Sequence, residues 1–355
     1  MPAIPTTFPT QALFSWYDRH GRDLPWRRRW PDLAEAYHVW LSEIMLQQTV
    51  VATVIPYFLD FTRRWPDVHA LAAAPLDDVL AAWAGLGYYA RARNLHKAAK
   101  MVAEDLGGQF PTDEAALRIL PGVGAYTAGA IAALASGRQS VVVDGNIERL
   151  FSRFFGIDTP LPKAKPVIAA HYQAQLPVMR PSDFPQALMD FANAVCTPKQ
   201  PGCDHCPFAS SCRGLALGIV YQLPVKPAKQ PKPVRKVVAF VAVNRQGAVL
   251  LEQRPEKGLL GGMLGFPEVG LVLKERPDDK VGPSPPFAAH WVSLAPRVTH
   301  VFTHFIADVE VRLAEIDPDS HVPSLENATW QRPRPSALPS LMRKIWDVAR
   351  KARPC

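Results

Sequence analysis

The chain has 355 residues, 48% of them hydrophobic, and a formal net charge of +8. That length supports two packed domains, and the basic balance favours an anionic partner. No signal peptide is expected at Met1–Pro9, nor a membrane span or a disulfide scaffold built on five cysteines, and a reducing, cytoplasmic setting is expected.

Residues 11–20 predict a short helix with Ala12, Leu13, Trp16 and Tyr17 on one face. Asp23-Leu-Pro-Trp26 leads into Arg27, Arg28 and Arg29, which read as a solvated loop or as phosphate contacts. Residues 38–61 carry a long helical pattern, with Val39, Trp40, Ile44, Val51, Val54, Ile55 and Phe58 at apolar positions and a break expected at Pro56. Glu43 lies among them. Periodicity alone favours turning it to water from the polar face. The alternative is a desolvated carboxyl whose pKa rises until it can donate a proton near neutral pH. Gln47, Gln48 and Thr49 then form either a solvated helix end or an amide-bearing wedge for a base stack.

Residues 71–105 predict two helices around Gly85-Leu86-Gly87-Tyr88-Tyr89, with Arg91, Arg93, Lys97 and Lys100 on the second. Aromatic residues in a glycine turn ahead of basic ones suit stacking beside a nucleic-acid backbone; core aromatics are the plainer alternative. A helical run from Asp113 to Ile119, the tight turn Pro121-Gly122-Val123-Gly124 and a second helix from Ala125 to Ala135 give a helix, a glycine hairpin and a helix. Glycines allow close backbone approach, and the second helix offers unpaired N–H groups at its start, where a DNA phosphate fits. Further on, Asp144 ends an apolar run and precedes a helix carrying Arg149 and Arg153. It suits an N-cap, and it is also a candidate buried carboxylate opposite Glu43.

Cys196, Cys203, Cys206 and Cys212 are separated by six, two and five residues. Four thiolates so close imply a shared, structural metal, and both zinc and an iron–sulfur cluster accept four cysteines. Cys355 stands apart and reads as incidental. Residues 224–236 hold four prolines, five basic residues and no acid, a stiff linker and the clearest domain boundary. Beyond it the period changes. Val237–Val243 and Ala248–Glu252 predict a hairpin around Asn244–Gly247, Arg297–Val311 further strand, Ser336–Lys351 a final helix, and Pro277–Pro286 a loose loop.

These pieces together resemble the MutY-type adenine DNA glycosylases of the helix-hairpin-helix superfamily, from about Asp23 to the final helix. The strongest parts are Trp40–Thr49, Gly85–Asn94, the hairpin, Val143-Asp144-Gly145-Asn146 and the four-cysteine loop. The resemblance implies a mainly α-helical glycosylase domain in two lobes (1–223), a linker (224–236) and a C-terminal α+β Nudix-like domain (237–355). It implies a 4Fe-4S cluster on the four cysteines and a monomer acting on double-stranded DNA, where adenine faces 8-oxoguanine or guanine. Family roles fall on matching positions. Glu43 protonates the flipped adenine at N7, Asp144 stabilises the sugar cation, and Tyr126 and Asn146 support the pair. Gln48 and Tyr88 fill the stack beside the flipped base, and Thr49, Leu86, Gly87, Gly122, Val123 and Gly124 meet DNA.

Gly258–Glu268 resembles part of the Nudix fold, but the acidic magnesium helix is not visible after it, so this domain is expected to read DNA. Phe302-Thr303-His304 aligns with the family's Phe-Ser-His loop for 8-oxoguanine, with threonine in place of serine. The interval from Trp26 to Glu43 carries an insertion around Arg28–Leu33. Endonuclease III, the nearest rival, has a lysine nucleophile at the hairpin, where this chain has Tyr126. A non-catalytic DNA-binding scaffold leaves the conjunction of Glu43, Tyr126, Asp144 and Asn146 without purpose.

Overall fold

Two units divide the chain by their internal contacts: Met1–Ala82 with Arg91–Ala228, and Trp83–Ala90 with Lys229–Cys355. The structure, a computed structural model, describes residues 7–227, 230–255, 258–271, 284–316, 327–335 and 338–353. Cys355 and most of the expected loop at 277–286 lie outside the described residues.

The helical unit runs through α1 (Thr10–His20), α2 (Ala36–Leu46), α3 (Val51–Arg64), α4 (Val68–Ala73), α5 (Leu76–Ala82), α6 (Ala90–Lys100), α7 (Glu114–Leu117), α8 (Ala125–Ser136), α9 (Gly145–Phe155), α10 (Lys165–Ala174), α11 (Asp183–Ala194) and α12 (Arg213–Ala216). Chain order and packing part company here. α1 lies against α11, and α9 against α10, α11 and α12. They enclose Phe14, Phe151, Phe154, Tyr172, Phe184 and Phe191. α2 instead packs on α3 and α8. The first helix thus joins the last ones in one lobe, and α2 to α8 form the other.

Several expected boundaries move. Pro56 sits inside α3, where it removes one backbone donor without ending the helix. The break falls at Gln47–Val50, because Gln48 takes a left-handed backbone, φ 58°. Residues 71–105 hold three helical pieces, not two. Ala74, preceding Pro75, is extended at ψ 142°, as a residue before proline prefers, and this separates α4 from α5. The helix before the hairpin is a single turn, capped by Asp113 accepting from the Ala116 amide at 2.9 Å. The segment at 28–33 places Trp30 and Leu33 over Gly137, the left-handed C-cap of α8.

The linker is shorter than 224–236. Val225 accepts a bond from the Leu161 amide at 2.9 Å, so its start is held by the helical unit, and its last residues enter a strand. That strand, β1 (Val234–Asn244), begins the second unit, followed by β2 (Val249–Gln253), β3 (Leu264–Gly265), β4 (Glu268–Val269), β5 (Val292–Val301), β6 (Ile306–Ile316), β7 (Ala328–Gln331) and α13 (Ser340–Lys351). The sheet order is β3-β2-β1-β6-β5, with β4 also on β1 and β7 on β2. β1 and β6 run parallel, and the β1–β2 hairpin pairs Val243 with Val249 as expected.

Strand alternation sorts β1 into two faces. Val237, Ala239, Val241 and Val243 meet Leu341, Met342, Ile345 and Trp346 of α13. Ala242 turns to Leu250, Phe287 and Ile316 on the other face. α13 starts four residues later than its pattern suggested, since Pro339 stands at its N-cap.

Candidate active site

α2 is buried nearly all round, from Tyr37 to Met45 except His38. A helix of that kind has no polar face to give to water. This is why the favoured periodicity reading of Glu43 fails: the residue is buried, 7% exposed. Burial pushes its pKa up to about 7; Arg27 pulls it down, the Asp144 charge pushes it up, and a hydrogen bond from Tyr126 pulls it down. The balance leaves an acid that is half protonated near neutrality. Tyr126, the second residue of α8, is itself held well above its ordinary value, by burial first and then by the Glu43 and Asp144 charges. It therefore stays a neutral O–H donor.

Asp144 caps α9. One of its oxygens accepts from the Asn146 and Ile147 amides at 2.9 and 2.8 Å, and the other from the Asn146 side-chain amide at 2.7 Å. The residue is half-buried rather than fully buried. Capping and charge placement coincide, because the bonds that start the helix also fix the carboxylate. Arg149 continues the chain of contacts, donating to Asn146 Oδ1 at 3.2 Å and to the Cys196 carbonyl at 2.8 Å. The approach of this segment to α8 depends on Gly129, where a Cβ would stand 2.7 Å from the Val141 carbonyl oxygen.

The helix-hairpin-helix turns at Gly122, φ 82°, closed by the Val123 amide donating to Leu120 at 3.1 Å. A Cβ at Gly122 would come within 3.1 Å of Asn94. α8 begins after Gly124 without a side-chain cap, so its first-turn amides lack the bonds that Asp144 gives α9. Gly122 and Gly124 are exposed, whereas Val123 is buried, as is Leu86 in the other unit. At those two positions only backbone can meet DNA. Tyr88 is 54% exposed, with φ 50°.

Arg91 was expected beside a nucleic-acid backbone; instead it is buried and ends α2. Its Nη1 donates to the Ile44, Met45 and Gln47 carbonyls at 3.1, 2.7 and 2.5 Å, and its Nη2 to Thr49 Oγ1 at 3.2 Å. These bonds hold the turn that leaves Gln48 exposed. The arginine run likewise looks inward in part. Arg27 pairs at 2.8 Å with buried Asp190, and Arg29 donates to the Asp18 and Gly21 carbonyls at 3.0 Å. Asp190 and the capping role of Arg91 escaped the sequence reading, since a lone charge in a helical pattern resembles any solvated one.

The four cysteines are half-buried, in no disulfide, and line one apolar pocket with Leu150, Phe154, Phe191 and Val195. Burial raises the thiols of Cys203, Cys206 and Cys212, Cys206 to about 11, and the charge of Cys196 adds to each. Four thiolates can share this pocket only around a cationic centre. Among the described residues no group of three or more His, Cys, Asp or Glu closes on a single metal ion. Buried Arg153 staples the loop, reaching Cys196 Sγ at 3.4 Å, the Thr197 carbonyl at 2.7 Å and the Pro198 carbonyl at 3.0 Å.

In the sheet unit, Phe302 lies one residue beyond β5 and packs against the hydrophobic core of that unit. The loop is closed by the Phe302 amide donating to Phe305 at 2.9 Å. Thr303 and His304 are exposed at its tip, and Phe302 is half-buried. Arg254 and Glu268 form a buried ion pair at 3.1 Å within the Nudix-like segment, so that glutamate is already engaged.

Residues 41–170 match the family model of HhH-GPD superfamily base excision DNA repair proteins, and residues 238–348 that of the NUDIX domain. A thermostable thymine-DNA glycosylase superposes over 58% of this chain and 94% of its own, with TM-score 0.53 and 27% identity. Endonuclease III in a non-covalent DNA complex shares the fold, over 59% of this chain and 94% of its own, at 21% identity and TM-score 0.50. Fold and site define a base-excision DNA glycosylase of the helix-hairpin-helix superfamily with an added Nudix-type domain.

The relatives narrow the class. Adenine DNA glycosylase of Homo sapiens is 35% identical over 97% of this chain and 74% of its own length. That of Rattus norvegicus is 34% identical over 96% and 78%. That of Buchnera aphidicola subsp. Schizaphis graminum is 35% identical over 75% and 76%. The chain belongs to the adenine DNA glycosylase family, hydrolases that remove adenine in base-excision repair.

Proposed function

We propose that the protein removes adenine paired with 8-oxoguanine or guanine in double-stranded DNA, by hydrolysis alone. The observation that carries this is Glu43: a buried carboxyl with its pKa raised to about 7, hydrogen-bonded by Tyr126 and within the field of Asp144. A flipped adenine brought to Glu43 receives its proton at N7. The C1′–N9 bond then breaks with its electron pair passing to the base, and the sugar is left as an oxocarbenium cation. Asp144, held by the amides of α9, faces that cation; water adds at C1′ and gives up a proton. Asn146 keeps Asp144 in place and Tyr126 orients Glu43. Flipping costs roughly a few kcal/mol, less beside a damaged pair, and Gln48 and Tyr88 fill the vacated stack. The uncapped start of α8 and its hairpin glycines bind a phosphate without reading sequence.

The division of labour follows the chain: the helical unit excises, the stretch between Val225 and Val234 joins, and the sheet unit reads the opposite base through Phe302, Thr303 and His304. Cys196, Cys203, Cys206 and Cys212 hold a 4Fe-4S cluster that ties the loop onto α9 and α11. The protein acts as a monomer in the cytoplasm; among the described residues no helix is long and apolar enough to cross a membrane. A lyase step needs an amine to attack the sugar, and Tyr126 has none.

Single-turnover adenine release from 8-oxoguanine:adenine and guanine:adenine duplexes tests this. The wild type is expected to prefer the lesion duplex and to leave the abasic strand intact until alkali is added. Changing Thr303 and His304 together to Ala lowers the preference. Efficient borohydride trapping of the wild type on DNA, or an unchanged preference in the double variant, contradicts the proposal.

A further inference from the structure

The loop from Phe302 to Phe305 is short, and its tip residues Thr303 and His304 are exposed. Its internal closure is one backbone bond, from Phe302 to Phe305. The loop joins the paired strands β5 and β6, Val301 opposite Ile306, and the His300 ring packs on Phe302 with centroids 4.6 Å apart. A further set of contacts on the loop comes from the end of the linker. Lys232 Nζ donates to the Phe302 carbonyl at 2.7 Å. The Ile306 amide donates to the Pro233 carbonyl at 2.9 Å, just past the other end of the loop. Val234 then pairs with Ile306 in parallel register. Arg235 lays its guanidinium 3.8 Å from the Phe305 ring centroid, and its Nη1 donates to the Leu271 carbonyl at 3.0 Å. Phe305 in turn stacks on Phe302, centroids 4.7 Å apart and planes 27° apart.

We infer that Lys232 to Arg235 is a specificity element: it sets the pose of the Phe302 loop, with Lys232 and Arg235 as positioning residues. The inference rests on the loop being the reader of the opposite base. Its basis is a path of contacts: Lys232 bonds the Phe302 backbone, and Arg235 acts on the Phe302 ring through Phe305. A planar cation over an aromatic face holds that ring by the attraction of its quadrupole, which an aliphatic side chain cannot reproduce. The linker thus joins two units and also ends as a brace under the reading loop. Charge alone suggests a rival role for these two side chains, neutralising DNA phosphates.

The test measures, in the full-length protein, single-turnover rates on the two duplexes and the salt dependence of binding to undamaged DNA. The variants are Lys232→Met, Lys232→Arg, Arg235→Leu and Phe302→Ala. Lys232→Met and Arg235→Leu are expected to lower the 8-oxoguanine:adenine rate by about tenfold, the scale of one lost bond, with a much smaller fall on guanine:adenine. The salt slope stays at the wild-type value, and Lys232→Arg restores the preference by donating to the same carbonyl. Equal losses on both duplexes with a shallower salt slope would make the two residues phosphate contacts and overturn the inference. So would a preference that falls in Phe302→Ala yet survives in Lys232→Met and Arg235→Leu. A preference unchanged in Phe302→Ala would instead remove the reader role itself.

Discussion

The site around Glu43 and the loop around Phe302 are built on opposite principles. Glu43, Tyr126 and Asp144 stand on three helices, and the end of α2 is held by four bonds from Arg91 alone. Burial raises the pKa of Glu43 and keeps Tyr126 protonated, so their chemistry depends on the packing. The loop exposes Thr303 and His304 and is closed by one bond of its own. Proton donation needs a side chain taken out of water. Reading a base needs one left at the surface. The two jobs therefore fall to parts of the fold that pay different costs, and substitutions should separate them.

The largest separation is in rate. Glu43→Gln keeps the shape and loses the proton; Asp144→Asn keeps an oxygen for the cap and loses the charge. Each is expected to lower single-turnover adenine release by about 10³-fold, the middle of the usual range for general acid–base groups. Binding to the lesion duplex, measured by titration, should remain. Release at near the wild-type rate by either variant would break the assignment.

Next comes Arg91→Met. It orphans two buried carbonyls and a half-buried one at the end of α2 and should cost about 3 kcal/mol in urea denaturation, the scale of charged hydrogen bonds. Adenine release should fall too, because the turn bearing Gln48 loosens. A loss in denaturation no larger than that of a surface substitution would show that α2 ends there without its help.

Stability should also change with pH. The carboxyl of Glu43 has its folded pKa above its unfolded one, so its stabilising contribution is full below about 4.5 and is lost as pH rises through about 7. Glu43→Gln should match the wild type near pH 5 and exceed it at pH 8. The ceiling is about 3 kcal/mol, from about 1.4 kcal/mol per pH unit. A difference independent of pH would mean that the carboxyl is not penalised by burial. By contrast, Thr303→Ala with His304→Ala should shift stability by less than about 0.5 kcal/mol, as exposed positions do.

The parts legible in the sequence share a local cause. The hairpin was visible because Gly122 needs φ 82°, the cap because Asp144 precedes a helix, and the four-cysteine pocket because four cysteines cluster. The parts that were not legible depend on distant partners. Periodicity turned Glu43 to water, because a helix buried on every side carries no stripe to read. Arg91 looked like one more basic residue after the aromatic glycine turn because the carbonyls it caps lie more than forty residues back. Pro56 looked like a break because nothing local shows that α3 tolerates the lost bond while Gln48 adopts a glycine-like backbone. The brace from Lys232 and Arg235 was hidden because it joins the linker to a loop some seventy residues later.

The central claim is that burial makes Glu43 the acid, and the pH dependence of adenine release tests it most directly. Single-turnover rates on an 8-oxoguanine:adenine duplex should be measured from pH 5 to 9 for the wild type and Glu43→Gln. The account predicts that the wild-type rate falls as pH rises through about 7, approaching about tenfold per pH unit above it, as the carboxyl loses its proton. It predicts no comparable limb in the much slower Glu43→Gln. A wild-type rate with no fall around pH 7, or the same limb in both proteins, would contradict it.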